Sequence, residues 1–408
     1  MTALADAVLP LVRSRSDLHR WSAANQHGGQ MHEAIDVLEA AIPTTDPAEA
    51  YTVTHKALAS AIKVIARADD SSGIIGDACR RLLTLHPQLA DTARTPPSKL
   101  VPWMITFQFD GDVDYFELDP VAYAPALGDK GLRTYRARLD EIRGRLAPKP
   151  DADSWQDPSR HERWVLEWNE RRLAVLDRDI DAIIRTHARD RKVAAWFHDT
   201  AKAFDEIGET ELAIDWARQA TDFGHGHQSQ RAAEYWCTLL STHHPDQLLA
   251  ARDYVFRRWP NALNASRLHA TAGPNWPDYE VAVTDALAAN PADAVTFTLT
   301  TLKNPQRAWQ LAHQLDLTSD HTWDQLTTAY EKIDPIAVLP THRRLVENTL
   351  TEAGAANYRD AAKRLARMRR LTAGTDHAIE VDELIAELRD THRRRPRLQQ
   401  EFDRAKLP

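Results

Sequence analysis

The chain has 408 residues, of which 43% are hydrophobic and 27% charged, and its formal net charge is −8; that balance excludes a disordered segment and a globally basic nucleic-acid binder. Its two cysteines, Cys79 and Cys237, match no metal or redox spacing, so a disulfide framework is excluded and a reducing, cytoplasmic setting is expected, with a bacterial source suggested by the Ala/Arg-rich usage. The opening MTALADAVLPLVR puts Asp6 ahead of a short apolar run without a basic lead, unlike a secretory signal, and no uncharged run approaches the roughly 18 apolar residues of a membrane span.

Helical periodicity dominates and strand alternation is scarce, so the expected fold class is all-α. MHEAIDVLEAAI places Ile35, Leu38 and Ile42 on one face and ends at Pro43, and AYTVTHKALASAIKVIAR stripes Leu58, Ile62 and Ile65. The latter stops at ADDSSG, whose Asp and Ser side chains suit the cap of the next helix, IIGDACRRLLTLH. Residues 93–130 concentrate prolines, aromatics and acids and read as an ordered, irregular connection. Helix resumes in LRTYRARLDEIRGRL, and APKPDADSWQDPS (147–159) reads as a linker. The expected division is an N-terminal helical domain over 1–150 and a C-terminal one over 160–408.

From residue 160 onward, helices of roughly 12 to 20 residues follow one another through short polar turns, a pattern that packs as antiparallel pairs. AWFHDTAKAFDEIGETELAIDWARQA (195–220) shows the period best. Phe197, Ala201, Phe204, Gly208, Ala213 and Ala220 fall where a tetratricopeptide unit needs small or ring residues at its helix crossing. The architecture expected is a tetratricopeptide-like α-solenoid of antiparallel helix pairs, ending in an Arg-rich helix.

The ordered set ADDSSGIIGDACRRLLTLH, FDGDVDYFELDPVAYAPALGDKGLRTYRARL, AKAFDEIGETELAIDWARQA and LIAELRDTHRRRPRLQQEFDRAKL resembles the helical region that follows the zinc finger in bacterial SWIM zinc-finger proteins. The resemblance spans roughly residues 10–405 and implies an all-helical fold. The finger's Cys-x-Cys and Cys-x-His are absent from this chain, so its nucleic-acid role does not carry over.

Several residue groups invite a chemical reading. His198-Asp199, with Lys202 and Asp205 after it and His161 and His187 before it, has the letters of a metal-dependent phosphohydrolase. The repeat pattern accounts for the segment and leaves His198 and Asp199 as surface residues. His225, His227, Cys237, His243 and His244 are separated by a helical stretch spanning roughly 20 Å, too far for one metal. Asp110, Asp112 and Asp114 have calcium-loop spacing, but Tyr115 and Val121 stand where Gly and Glu are required. RADDSSG carries two carboxylates that repel a phosphate, so capping is expected there. The tryptophans, Trp164, Trp168, Trp196, Trp216, Trp236 and Trp309 among them, read as core.

The remaining group is Arg389, Arg393, Arg394, Arg395 and Arg397 near the C-terminal end. It is the expected partner-binding group, for an acidic protein surface or, as the alternative, for nucleic acid. The reading that emerges is a scaffold that binds a protein partner. It assigns no catalytic residue, cofactor or metal, expects no membrane insertion, and confines any nucleic-acid contact to the arginines.

Overall fold

The computed structural model describes residues 2–111, 113–148 and 157–408, and among them it contains 21 α-helices and no strand. The all-α expectation holds. Two compact units, Met1–Ala220 and Thr221–Pro408, divide the chain close to the end of one helix. The core of the expected linker, residues 149–156, lies outside the described residues.

The first unit opens with α1 (Ala3–Val12), α2 (Trp21–Ala41), α3 (Pro47–Ile65) and α4 (Ile74–Thr92). Their apolar stripes meet in one core, where Val8, Met31, Ile35, Leu58, Ile75 and Leu82 are at most 1% exposed. The start of α4 follows the expected capping. Gly73 takes φ 79°, a left-handed turn that favours glycine, and the Asp70 carboxylate accepts from the N–H groups of Ile75 and Gly76, both at 2.9 Å.

Residues 93–130 depart from the expected irregular connection. They hold α5 (Pro97–Phe109) and the first part of α6 (Pro120–Arg145). Pro97 and Pro120 occupy first-turn positions, where a helix has no use for the missing N–H, and the Asp119 side chain caps α6 by accepting from Val121 N–H at 3.0 Å. Burial of Leu100, Val101, Met104 and Ile105 then outweighs the bond lost at Pro102. The helix α6 kinks at Gly128, with φ 54° and ψ 179°, which sets Pro120–Leu127 apart from the longer remainder.

A closed ring of hydrogen bonds joins α5 and α6 to α7 (Arg160–Leu176). Tyr135 donates to Asn169 Oδ1 at 2.6 Å, Asn169 donates to Gln108 Oε1 at 3.0 Å, and Gln108 donates back to the Tyr135 hydroxyl at 2.7 Å. Beyond it lie the short α8 (Ile180–Ile183), a π-helical turn over Ile184–Ala188, α9 (Ala194–Glu206) and α10 (Thr210–Asp222). Phe197 and Phe204 of α9 bring their rings to 5.4 and 6.4 Å from that of Trp216 of α10, and Gly208 between the helices takes φ 77°. Helix and turn here are as the sequence leads one to expect.

The second unit comprises α11 (His227–His243), α12 (Pro245–Arg258), α13 (Ala262–Ala272), α14 (Pro277–Leu287), α15 (Pro291–Thr300), α16 (Pro305–Gln314), α17 (Asp320–Tyr330), α18 (Leu339–Thr351), α19 (Ala355–Leu371), α20 (His377–Thr391) and α21 (Pro396–Arg404). Sequential neighbours pack on each other: α11 on α12, α12 on α13, α15 on α16, α17 on α18, α18 on α19. Proline opens five of these helices at the first position, which is why many short helices start sharply here. The apolar side of α21 seals the end of the unit, with Leu398 and Phe402 fully buried against Leu365 and Ile385.

One close approach is specific enough to test. A Cβ placed on Gly28 of α2 would lie 2.4 Å from Cγ2 of Ile74, a β-branched side chain with little rotamer freedom. Gly28→Ala should lower stability by about 1–2 kcal/mol, even though alanine favours helix by about 1 kcal/mol. In urea denaturation, the added change Ile74→Ala should remove the clash and make the alanine at 28 neutral or stabilising. An equal loss in both backgrounds would show that Ile74 is not what opposes the added methyl.

Candidate functional site

The expected arginine group lies at the turn between α20 and α21, and the fold splits it. Arg389 is a structural pin: it donates to Asp403 at 2.8 Å, to Gln399 Oε1 at 3.0 Å and to the Leu407 carbonyl at 3.1 Å, with its guanidinium over the Phe402 ring. Arg395, half-buried, donates to the Leu350 carbonyl at 2.7 Å. Arg393, Arg394 and Arg397 are exposed, and the Arg393–Asp390 pair at 3.7 Å is a solvated one.

His198 is not the surface residue the sequence reading makes it. It is 6% exposed, while Asp199 beside it is exposed. Successive helical residues point about 100° apart, so α9 turns the histidine into the core and the aspartate to solvent. His161 and His187 are engaged elsewhere, with the carbonyls of Gln108 at 2.8 Å and Ile183 at 3.2 Å. Among the described residues no group of three His, Cys, Asp or Glu side chains is placed to hold a metal ion. Of the acidic loop, Asp112 lies outside the described residues and Tyr115 is exposed. Of the tryptophans, Trp216 and Trp236 are buried, Trp168, Trp196 and Trp309 half-buried, and Trp164 is exposed.

What the sequence reading missed is a groove in the second unit. It runs along α19, has a volume of about 1120 Å³, and is lined by Asp324, Glu331, Lys363, Arg364, Arg367 and Arg370 among others. Residues 363, 364, 367 and 370 share one face of α19 by helical spacing, while Tyr358, Ala361, Leu365 and Met368 bury the opposite face. Arg367 clamps Glu331 with two bonds of 2.7 Å and donates to Thr328 at 3.2 Å. Arg364 donates to Asp324 at 2.7 Å and to Nδ1 of His342, on α18, at 3.1 Å. Arginine has only donors, so His342 Nδ1 must carry the lone pair and Nε2 the proton. Lys363 and Arg370 are exposed on the rim. A helical stripe of cations is visible in YRDAAKRLARMRRL; the acids paired with it, 36 and 40 residues upstream of Arg367 and Arg364, are not.

The first unit holds a second polar cluster. His55 Nδ1 lies 2.9 Å from His86 Nε2, and His86 Nδ1 lies 2.8 Å from the Tyr123 hydroxyl. Trp103 stacks on His86, with centroids 4.3 Å apart. His86 is fully buried and Tyr123 is 1% exposed. Nearby, Arg172 is held by Asp119 at 2.8 and 2.9 Å and by Glu206 at 2.6 and 2.7 Å, tying the start of α6 to α7 and α9.

Residues 6–398 match the model of a family of unknown function (DUF6880). No curated protein matches the chain.

Two outcomes follow from the burial. His198→Ala removes a buried ring and should destabilise by about 2–3 kcal/mol, whereas Asp199→Ala should change stability by no more than about 0.5 kcal/mol; thermal or urea melts giving equal effects would contradict the geometry. The second concerns pH. Burial, foremost, holds His86 at about 3 and His187 and His342 at about 4, against an ordinary 6.5. The unfolded chain therefore takes up these protons first, so the stability they contribute is complete above about pH 6.5 and is lost as pH falls toward 4. At about 1.4 kcal/mol per pH unit for each histidine, the three together should cost about 4 kcal/mol per unit between about pH 6 and pH 4.5. Urea midpoints measured across that range should fall steeply, and a flat profile would contradict the neutral buried state.

Proposed function

The chain belongs to the family of unknown function DUF6880, and we propose that it acts as a non-enzymatic helical-repeat scaffold that docks a protein partner in the α19 groove. The carrying observation is the groove itself, about 1120 Å³ and open, with the cations of α19 on one wall facing Asp324 and Glu331. Ion pairs fix Arg364 and Arg367 before any partner arrives, so little side-chain entropy is lost on docking. Exposed Lys363 and Arg370 beside them supply charges a partner can neutralise.

The finer architecture, a tetratricopeptide-like solenoid of antiparallel pairs akin to the region beside SWIM fingers, belongs to this proposal. It is supported by the sequential packing within the second unit and by the α9–α10 turn. A cytoplasmic setting belongs to it as well, supported by two buried cysteines outside any disulfide; no described helix is long and apolar enough to cross a membrane. Exposed Arg393, Arg394 and Arg397 favour a second reading, a nucleic-acid adaptor.

The test begins with a photo-crosslinking residue at position 363 or 370, used to identify the bound protein, followed by titration with that protein purified. Lys363→Glu with Arg370→Glu should weaken binding about tenfold, equivalent to about 1.4 kcal/mol, without shifting the melting temperature. Unchanged affinity would remove the groove from the reading. Tight DNA or RNA binding at physiological salt, lost when Arg393, Arg394 and Arg397 become Glu, would put the adaptor in its place. Arg395 is left out because its bond to Leu350 is structural.

A further inference from the structure

The cluster of His55, His86 and Tyr123 has no part in the groove, and its geometry is that of a one-dimensional hydrogen-bond chain running from a half-exposed ring into the core. Each link can be made in only one of two directions, and the directions are coupled. A neutral histidine has one N–H and one lone pair, so His86 must donate at one end and accept at the other. In the first direction the Tyr123 hydroxyl donates to His86 Nδ1, and His86 Nε2–H donates to His55 Nδ1. Every hydrogen in the chain then has an acceptor. In the reverse direction His55 Nδ1–H donates to His86 Nε2, and His86 Nδ1–H donates to the Tyr123 oxygen. The hydroxyl hydrogen of Tyr123 is then left without an acceptor, because His86 is the polar partner of that hydroxyl among the described residues.

Protonation of His55 permits only the reverse direction, since an imidazolium carries N–H on both nitrogens and cannot accept. We propose that these three residues form a proton-controlled latch on the Pro120–Leu127 segment of α6, closed when His55 is neutral and opened when His55 takes up a proton. The surroundings leave the proton on His55 as the control. The titratable groups facing it are Tyr51, one turn earlier on α3, His86 from α4 and Tyr123 beyond it from α6, while α5 presents the uncharged Trp103 ring at 5.3 Å. Burial lowers His55 below the ordinary histidine value and His86 further, to about 3, so His86 stays neutral while His55 titrates.

The segment under control is set off from its helix. The Gly128 kink separates it from the rest of α6, in a left-handed conformation that a glycine adopts without penalty. Its cap, Asp119, is a ligand of Arg172, and the Leu118 carbonyl just before it accepts from Trp168 Nε1 at 2.9 Å. The cost of the orphaned Tyr123 hydroxyl hydrogen therefore weakens the tether beside the ion-pair hub that joins α6, α7 and α9.

The experiment is a pH titration of the full chain labelled with ¹⁵N-histidine. Ring-nitrogen shifts distinguish Nδ1–H from Nε2–H, and His55→Gln and His86→Gln variants supply the assignments. His86 should switch from Nε2–H to Nδ1–H at the midpoint of the His55 titration while remaining neutral. Tyr123→Phe keeps the ring volume but removes the hydroxyl whose orphaning opposes protonation, so the His55 midpoint should rise by about one pH unit. Hydrogen exchange supplies a readout of the segment: protection of 120–127 relative to α2 should fall through the same midpoint in the wild type, and that relative fall should vanish in His55→Gln, whose amide oxygen still accepts from His86. A His86 tautomer that is constant across the His55 titration would overturn the latch, as would a fall in 120–127 protection relative to α2 that survives His55→Gln.

Discussion

A polar group taken out of water must find a partner inside the protein, and that single constraint decides how the helices of this chain are joined. The ring of Gln108, Tyr135 and Asn169 meets it by closing on itself: each side chain donates to the next and each acceptor is used. Gln108 and Asn169 spend their second amide hydrogens on the Met104 and Val165 carbonyls of their own helices. A buried donor left without an acceptor costs about 1–3 kcal/mol, so α5, α6 and α7 cannot slide or rotate against one another without breaking several bonds together. The apolar contacts around the ring supply most of the attraction, and the ring fixes the register in which they are made.

The same accounting shapes the α19 groove. Arg364 and Arg367 are partly withdrawn from solvent, and each is matched by a carboxylate from α17 or the turn that follows it. Arginine suits this position because its planar fork engages Glu331 with two parallel bonds, where lysine would offer a single mobile charge. Behind Arg364, His342 is fully buried and accepts from the guanidinium. Its neutral state is a consequence of both facts, since an imidazolium there would face a cation at hydrogen-bond distance. The wall of the groove is thus set by buried chemistry, while its rim, Lys363 and Arg370, is left to solvent and to whatever docks there.

Histidine recurs at the points where the fold is sensitive. His86, His187 and His342 are neutral and buried, and His55 stands at the edge of the first of these. Burial disfavours a charge on each of them, which makes the molecule's response to acid a property of its core as well as of its net charge. The two units share this feature through different polar networks: a histidine pair ending at a tyrosine in one, an arginine–histidine contact in the other.

Helix content was legible from the sequence because it depends on neighbours within a few positions: the stripes of Ile35 and Leu38 or Leu58 and Ile62, the Asp70 cap before α4, the small residues of 197–220. Even so, local signals mislead at 93–130, where prolines at helix starts read as breaks, and at His198, whose neighbours in sequence say nothing of which way α9 faces its core. The candidate site was legible only in its local half, the basic stripe of α19. Asp324 and Glu331, like His55, His86 and Tyr123, lie tens of residues from their partners, and no period or spacing links them. Arg389 and Arg395 looked like exposed charge until the packing of α21 showed them bonded to Asp403 and to the Leu350 carbonyl. The sequence by itself determined that this chain would be helical and where many of its helices begin; which polar groups would meet was decided only by tertiary structure, because a hydrogen bond or ion pair depends on distances of about 3 Å between atoms that the chain brings together from far apart.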